Sequence, residues 1–285
     1  MSRLALGTAQ FGLDYGINNK TGKVSEPAVA LILAEAAKNG IECLDTAAAY
    51  GDSEDVIGNI STGRYEFKIV TKLSGVSGGR LKAKLLESLA RLRMKNVYAC
   101  LFHSFEEYSA HVDLLKELSD CRDEGLVEKI GFSLYYPEEA KTLLSSGVNL
   151  GVIQIPFNIL DQRFAELLPE FRKRNIEIHV RSVFLQGLLL KEIGELDVFF
   201  EEARPVLTRL RQLARTLGIP VHSLCLNFVA QNELIDKVVV GIDSLAQLRM
   251  NMDLVEQGGG VSTVAAELKG FKLDNENILL PSRWR

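Results

Sequence analysis

Apolar residues along this chain gather into short, nearly unbroken runs, with amphipathic stretches between them. Eight runs read as strands: LALGTA (4–9), ECLDTA (42–47), FKIVTK (67–72), VYACLFH (97–103), KIGFS (129–133), GVIQIP (151–156), EIHVRS (177–182) and KVVVGI (237–242). Runs rich in Val, Ile and Leu suit strands covered on both faces, as in parallel sheets. The segments between them place leucines at helical spacing with charges in between, as in LKAKLLESLARLRM (81–94). Boundary residues support these helices. Ser25-Glu26-Pro27 offers a cap and an early proline, and two further helical patterns stop at Gly125 and Gly147. The long stretch between the seventh and eighth strands holds two helical patterns, 203–218 and 221–232. Strands alternating with helices in this way predict an α/β chain, a closed parallel (β/α)8 TIM barrel. No linker or repeat interrupts the alternation, so residues 1–285 are expected to form a single domain, with 259–285 as a C-terminal tail.

Composition narrows the function. A hydrophobic fraction of 47% fits a globular chain with a large core. The net charge of −4 is spread without basic runs, which argues against nucleic acid or an anionic membrane as partner. No signal-peptide pattern or membrane-length apolar run appears, and Cys43, Cys100, Cys121 and Cys225 share no metal-ligand spacing. Buried, reduced thiols in a cytoplasmic protein are the expectation. The four histidines (His103, His111, His179, His222) likewise show no ligand spacing, so no metal is expected.

Chemistry enters at the strand ends. Asp45 and Tyr50, then Lys72, then His103 fall at or just after the ends of three consecutive strand runs. In a barrel, side chains at C-terminal strand ends converge on one rim. Tyrosine is a poor acid at neutral pH; a nearby ammonium favours its phenolate, and a carboxylate keeps that ammonium charged and oriented. A histidine donor can place a carbonyl oxygen beside the phenol, giving general acid catalysis of carbonyl reduction, or general base catalysis in reverse. Hydride must then come from a nicotinamide cofactor.

The strings DTAAAYG (Asp45 to Gly51), VTKL with Lys72 and LFHS with His103 resemble the aldo-keto reductase superfamily. The likeness runs from LGTAQFG near the start to GIDS…QLRMN after the eighth strand. It implies a catalytic tetrad in which Tyr50 donates the proton, Lys72 lowers its pKa, Asp45 pairs with Lys72 and His103 orients the carbonyl. It also implies cofactor contacts. Ser133 matches a serine on the nicotinamide amide, with Leu134 where an asparagine is usual. Gln154 matches the glutamine below the nicotinamide, and Asn158 follows the same string. Arg181-Ser182 stands in place of a tyrosine-serine pair whose tyrosine stacks on the nicotinamide. A guanidinium there can stack too, and its charge is expected to favour reduced cofactor or an anionic substrate group. Ser182 and the backbone around Leu185, Gln186 and Gly187 match the pyrophosphate loop.

NADP(H) is the cofactor the resemblance implies. Yet Gly241, Asp243 and Gln247 occupy positions where basic residues usually grip the 2′-phosphate, with Ser244 and Asn251 in polar, adenosine-side roles. Asp243 would repel a phosphate and accept from a free ribose hydroxyl, so use of NAD(H) is expected to be open to this chain, with Arg249 as the nearby basic residue expected to compensate. The first strand begins at Leu4, leaving no room for the N-terminal hairpin usual in the family; large side chains, the tail or a partner chain are expected to cover that mouth. Trp284 is expected over the site or on the barrel wall, and Phe11, Asp14 and Tyr15 near the substrate. The strings LGTAQFGLDYGI and RSVFLQGLLL resemble a bacterial subgroup associated with surface-sugar biosynthesis, which makes a sugar-derived carbonyl a candidate substrate. Two alternatives stand beside this reading: an aldolase-like enzyme with a Schiff base on Lys72, and a cofactor-sensing, non-enzymatic subunit of the same fold, monomeric or dimeric like the reductase.

Overall fold

In the computed structural model, which describes residues 2–17, 19, 21–76, 79–258 and 261–284, the eight apolar runs form eight parallel strands. They are β1 (Leu4–Gly7), β2 (Cys43–Asp45), β3 (Lys68–Leu73), β4 (Val97–Phe102), β5 (Val127–Ser133), β6 (Val152–Pro156), β7 (Glu177–Arg181) and β8 (Lys237–Gly241). Each pairs with its neighbours in sequence, and β8 pairs with β1, so the sheet closes into a barrel. Helices pack outside it; Leu81–Leu92, for example, buries Leu81, Leu85, Leu89 and Leu92 at the predicted spacing. The glycine stops hold as well: Gly125 and Gly147 sit just past their helices at φ 79° and 73°. Ser25 occupies the cap position of Glu26–Lys38, but its side chain makes no capping bond.

Alternation along a strand decides which side chains enter the barrel, because neighbours i and i+2 share a face. Cys43, Val70, Ala99, Val152 and Val239 form an apolar layer inside. Two residues further along lie Asp45, Lys72, Leu101, Gln154 and Gly241, next to the C-terminal rim. At the opposite mouth, the Tyr98 hydroxyl donates to Glu177 at 2.6 Å and Lys129 pairs with Glu177 at 2.5 Å. The ammonium groups of Lys68 and Lys129 lie 5.2 and 5.0 Å from the Tyr98 ring centre. Large side chains therefore fill this mouth.

The C-terminal segment packs on the segments that follow β6 and β7. Leu273 donates its N–H to Leu160 O at 2.9 Å, and Arg163 links Asp161 at 2.8 Å to Glu276 at 3.2 Å. Trp284 stands edge-on to Phe200 at 4.9 Å and donates to Ile278 O at 3.0 Å. Trp284 is not among the cavity residues; it anchors the tail on the segment after β7 and not on the barrel wall itself. All four cysteines are free and buried. No single helix among the described residues is long and apolar enough to cross a membrane.

Candidate active site

Asp45 ends β2, and the turn after it is pinned to β3: Thr46 N–H donates to Val70 O at 2.8 Å, and Ala48 N–H to Lys72 O at 3.0 Å. That turn carries Tyr50 back over the barrel mouth. Its position depends on a close approach by the β1 loop. A Cβ on Gly12 would fall 1.9 Å from Tyr50 O, and one on Gly51, at φ +55°, would fall 2.3 Å from Gly12 O. Ser53 fixes the same junction by bonding Thr8 O and Thr8 Oγ1, both at 2.9 Å. Behind it Glu54, buried, accepts from Thr71 at 2.6 Å and from Arg91 Nε at 2.9 Å, clamping Ser53–Ser61 to β3.

The four ionisable strand-end residues meet. Lys72 is 1% exposed and donates to Asp45 Oδ2 at 2.7 Å and Thr46 O at 2.9 Å, with Tyr50 Oη at 3.5 Å. Its Nζ also lies 4.9 Å from the Tyr50 ring centre. Burial presses the ammonium towards neutrality, but Asp45 and Tyr50 outweigh it and hold Lys72 above the usual lysine range. The His103 ring sits edge-on to Tyr50 with centroids 5.8 Å apart. Burial first, then the charges of Lys72 and Arg181, depress its pKa to about 4, so the imidazole is neutral. Such an arrangement holds a phenol against a fixed cation, with an uncharged donor across from it. It suits proton delivery to a carbonyl oxygen.

Asp45, Tyr50 and His103 line a cavity at this rim, and Ser133, Arg181, Ser182, Gly187, Gly241, Asp243 and Gln247 line it with them. The remaining predicted contacts lie behind the wall. Gln154 is fully buried and donates to Asp45 Oδ1 at 2.6 Å while accepting from Ser133 Oγ at 3.3 Å, so it fixes the carboxylate that holds Lys72. Leu185 is buried at φ 47° among apolar neighbours. Ser244 caps Leu245–Gln257, accepting from Gln247 N–H at 3.2 Å. Asn251 is buried and its Oδ1 meets His222 Nε2 at 2.7 Å. Asn158 accepts from Leu160 and Asp161 N–H and donates to Ser182 O at 2.9 Å, shaping the β7 loop.

Three expectations are corrected. Phe11 is completely buried in the core and touches no substrate space; Asp14 is exposed and off the cavity wall, leaving Tyr15 as the cavity residue of that trio. Arg249 forms a two-bond pair with Glu35 at 3.1 Å on the outer helix layer, so its charge is directed away from the rim. Gln10, Tyr135, Phe184 and Leu190, given no site role by the sequence, also line the cavity. The cavity suits a dinucleotide. Gln10 Oε1, on the cavity wall against Gly241, has no hydrogen-bond partner among the described residues. The left-handed positions Ser182, Gln186 and Gly187 turn the β7 loop into the cavity.

The model of the Aldo/keto reductase family matches residues 3–258. The chain belongs to this family. Among curated relatives of this aldo/keto reductase, a D-threo-aldose 1-dehydrogenase of a Pseudomonas species is 26% identical over 184 residues, 61% of the chain. The match spans 56% of that relative's own length. An L-galactose dehydrogenase of Arabidopsis thaliana is 24% identical over 281 residues, covering 90% of the chain and 84% of that protein. Among solved structures, the aldo-keto reductase AKR11C1 of Bacillus halodurans in its holo form superposes with a TM-score of 0.77 at 21% identity, over 96% and 93% of the two chains. At that identity the likeness speaks for the barrel.

Proposed function

We propose that this aldo/keto reductase reduces an aldehyde or ketone to an alcohol with NAD(P)H, and runs the reverse oxidation when the alcohol is in excess. The observation that carries the reading is Lys72 Nζ held between the Asp45 carboxylate at 2.7 Å and the Tyr50 hydroxyl at 3.5 Å. Tyr50 gives its proton to the carbonyl oxygen, and the Lys72 ammonium stabilises the phenolate left behind. His103, neutral, donates to the same oxygen. Asp45, steadied by Gln154, keeps Lys72 charged and in place. When bound, the nicotinamide supplies the hydride to the carbonyl carbon. Ser133 and Ser182 are assigned to hold its nicotinamide and pyrophosphate portions, and Gly241, Asp243 and Gln247 its adenosine side.

A Schiff-base role for Lys72 asks for an amine that is reachable and easily neutralised. Burial opposes the first and the Asp45 pair the second. For the cofactor, Asp243 on the cavity wall and the engagement of Arg249 by Glu35 support weak discrimination in favour of NADPH and use of NADH. For the substrate, the two sugar dehydrogenases among the relatives support a sugar-derived carbonyl. The test is titration with NADH and NADPH by calorimetry, followed by a carbonyl panel. Binding with turnover is expected. Binding without any turnover would leave only a cofactor sensor, and no binding of either would end the reductase reading.

A further inference from the structure

Arg181 is the only lysine or arginine on the cavity wall among the described residues. It is the last residue of β7 and follows Glu177 and His179 at two-residue intervals, so the pleat turns it inward with them. Its guanidinium carbon lies 4.2 Å from the Tyr135 ring centre, which fixes the plane of the group. Nη2 donates to Leu134 O at 3.0 Å and Nη1 to Ser182 Oγ at 3.3 Å. A guanidinium has five N–H donors, so these two bonds leave most of its donor capacity unspent. No carboxylate of the described residues pairs with it; Asp45, on the same wall, is taken by Lys72. A half-buried cation without a counter-ion, held flat in a cavity, is a ready seat for an anion.

We propose that Arg181 is the anchor for an acidic group on the carbonyl substrate, so that the preferred substrates are carboxylate-bearing aldehydes or ketones. This rests on the carbonyl-reductase reading of the site. The alternative source of negative charge is the cofactor's pyrophosphate. Arg181 touches that side through Ser182 Oγ at 3.3 Å, but its guanidinium stacks on Tyr135 and shares the cavity wall with Asp45, Tyr50 and His103, where the carbonyl reacts.

The test compares 4-oxobutanoate with its methyl ester, of the same chain length but uncharged. Wild type should favour the acid in kcat/KM, and Arg181→Met should cut that preference by about tenfold or more, through KM, as expected for loss of a charge-assisted pair. Arg181→Lys should restore part of it. Calorimetry with butanoate against butanamide reads the same site without turnover, and only wild type should distinguish the two. Absence of an acid preference in wild type, or its survival in Arg181→Met, would overturn the proposal. So would a fall in NADH and NADPH affinity with an unchanged substrate ratio, which would assign the guanidinium to the cofactor. If wild type bound no dinucleotide and reduced no carbonyl, the reductase reading would fail, while the butanoate measurement would still decide the anion site.

Discussion

Lys72 holds a full charge inside the barrel because three oxygens replace the water it has lost: Asp45 Oδ2, Thr46 O and Tyr50 Oη. Removing the amine would strand the Asp45 carboxylate. Lys72→Met is therefore expected to destabilise the fold by about 3–5 kcal/mol, as for a broken buried pair, and to abolish turnover. Denaturant unfolding checks the first effect, and a double change with Asp45→Asn should recover part of the stability without the activity. His103 makes a pH prediction. Its native pKa is depressed to about 4, so the unfolded chain binds a proton that the native chain refuses between pH 6.5 and pH 4. Its contribution is complete above pH 6.5 and is lost as pH falls towards 4, on the order of 3 kcal/mol in all. Unfolding curves should show wild type losing stability relative to His103→Gln across that window, and a constant difference would contradict the depressed pKa. At this scale the sequence was legible where chemistry and position coincide: Asp45, Lys72 and His103 fall at the ends of three strand runs, and Tyr50 follows just after the first. It was not legible where partners decide the role. Nothing in QLRMN says that Arg249 turns to Glu35, and nothing near Gly12 says that Phe11 turns inward.

Among the elements, the turn between β2 and Ser53–Ser61 does most to set the site. It depends on a glycine pair that admits no side chain. Gly51→Ala puts a Cβ 2.3 Å from Gly12 O at φ +55°, so a loss of at least about 1–2 kcal/mol is expected, together with reduced turnover as Tyr50 shifts. Unaltered stability and turnover in that variant would contradict the packing account. Strands were legible because continuous apolar runs mark them, and their observed ends lie within a residue or two of the runs. The β1 and β7 loops were not. The short helix Ala9–Gly12 and the left-handed Leu185–Gln186–Gly187 run are set by contacts with distant segments, such as Gln186 Nε2 to Tyr15 Oη at 3.0 Å.

Closure of the whole barrel is what turns residues far apart in sequence into one site. It sets Asp45 of β2 against Gln154 of β6 and brings Arg181 of β7 to the rim that holds Tyr50. For the cofactor the proposal turns on Asp243, on the cavity wall just after β8. Asp243→Arg is expected to raise the NADPH-to-NADH affinity ratio by about tenfold, as the exchange of repulsion for a charge-assisted bond implies. Calorimetry with both reduced cofactors reads that ratio. Trp284, anchored on Phe200 away from the cavity, is a poor reporter of binding, and the fluorescence of the reduced nicotinamide is the better signal. The central claim is that Tyr50 delivers the proton. It is tested most directly by the single-turnover rate of NAD(P)H oxidation with a reducible carbonyl, in wild type and Tyr50→Phe, at cofactor occupancy matched by calorimetry. The account predicts that the variant binds cofactor and loses about 10²–10⁴ in rate. Equal rates at equal occupancy would contradict it.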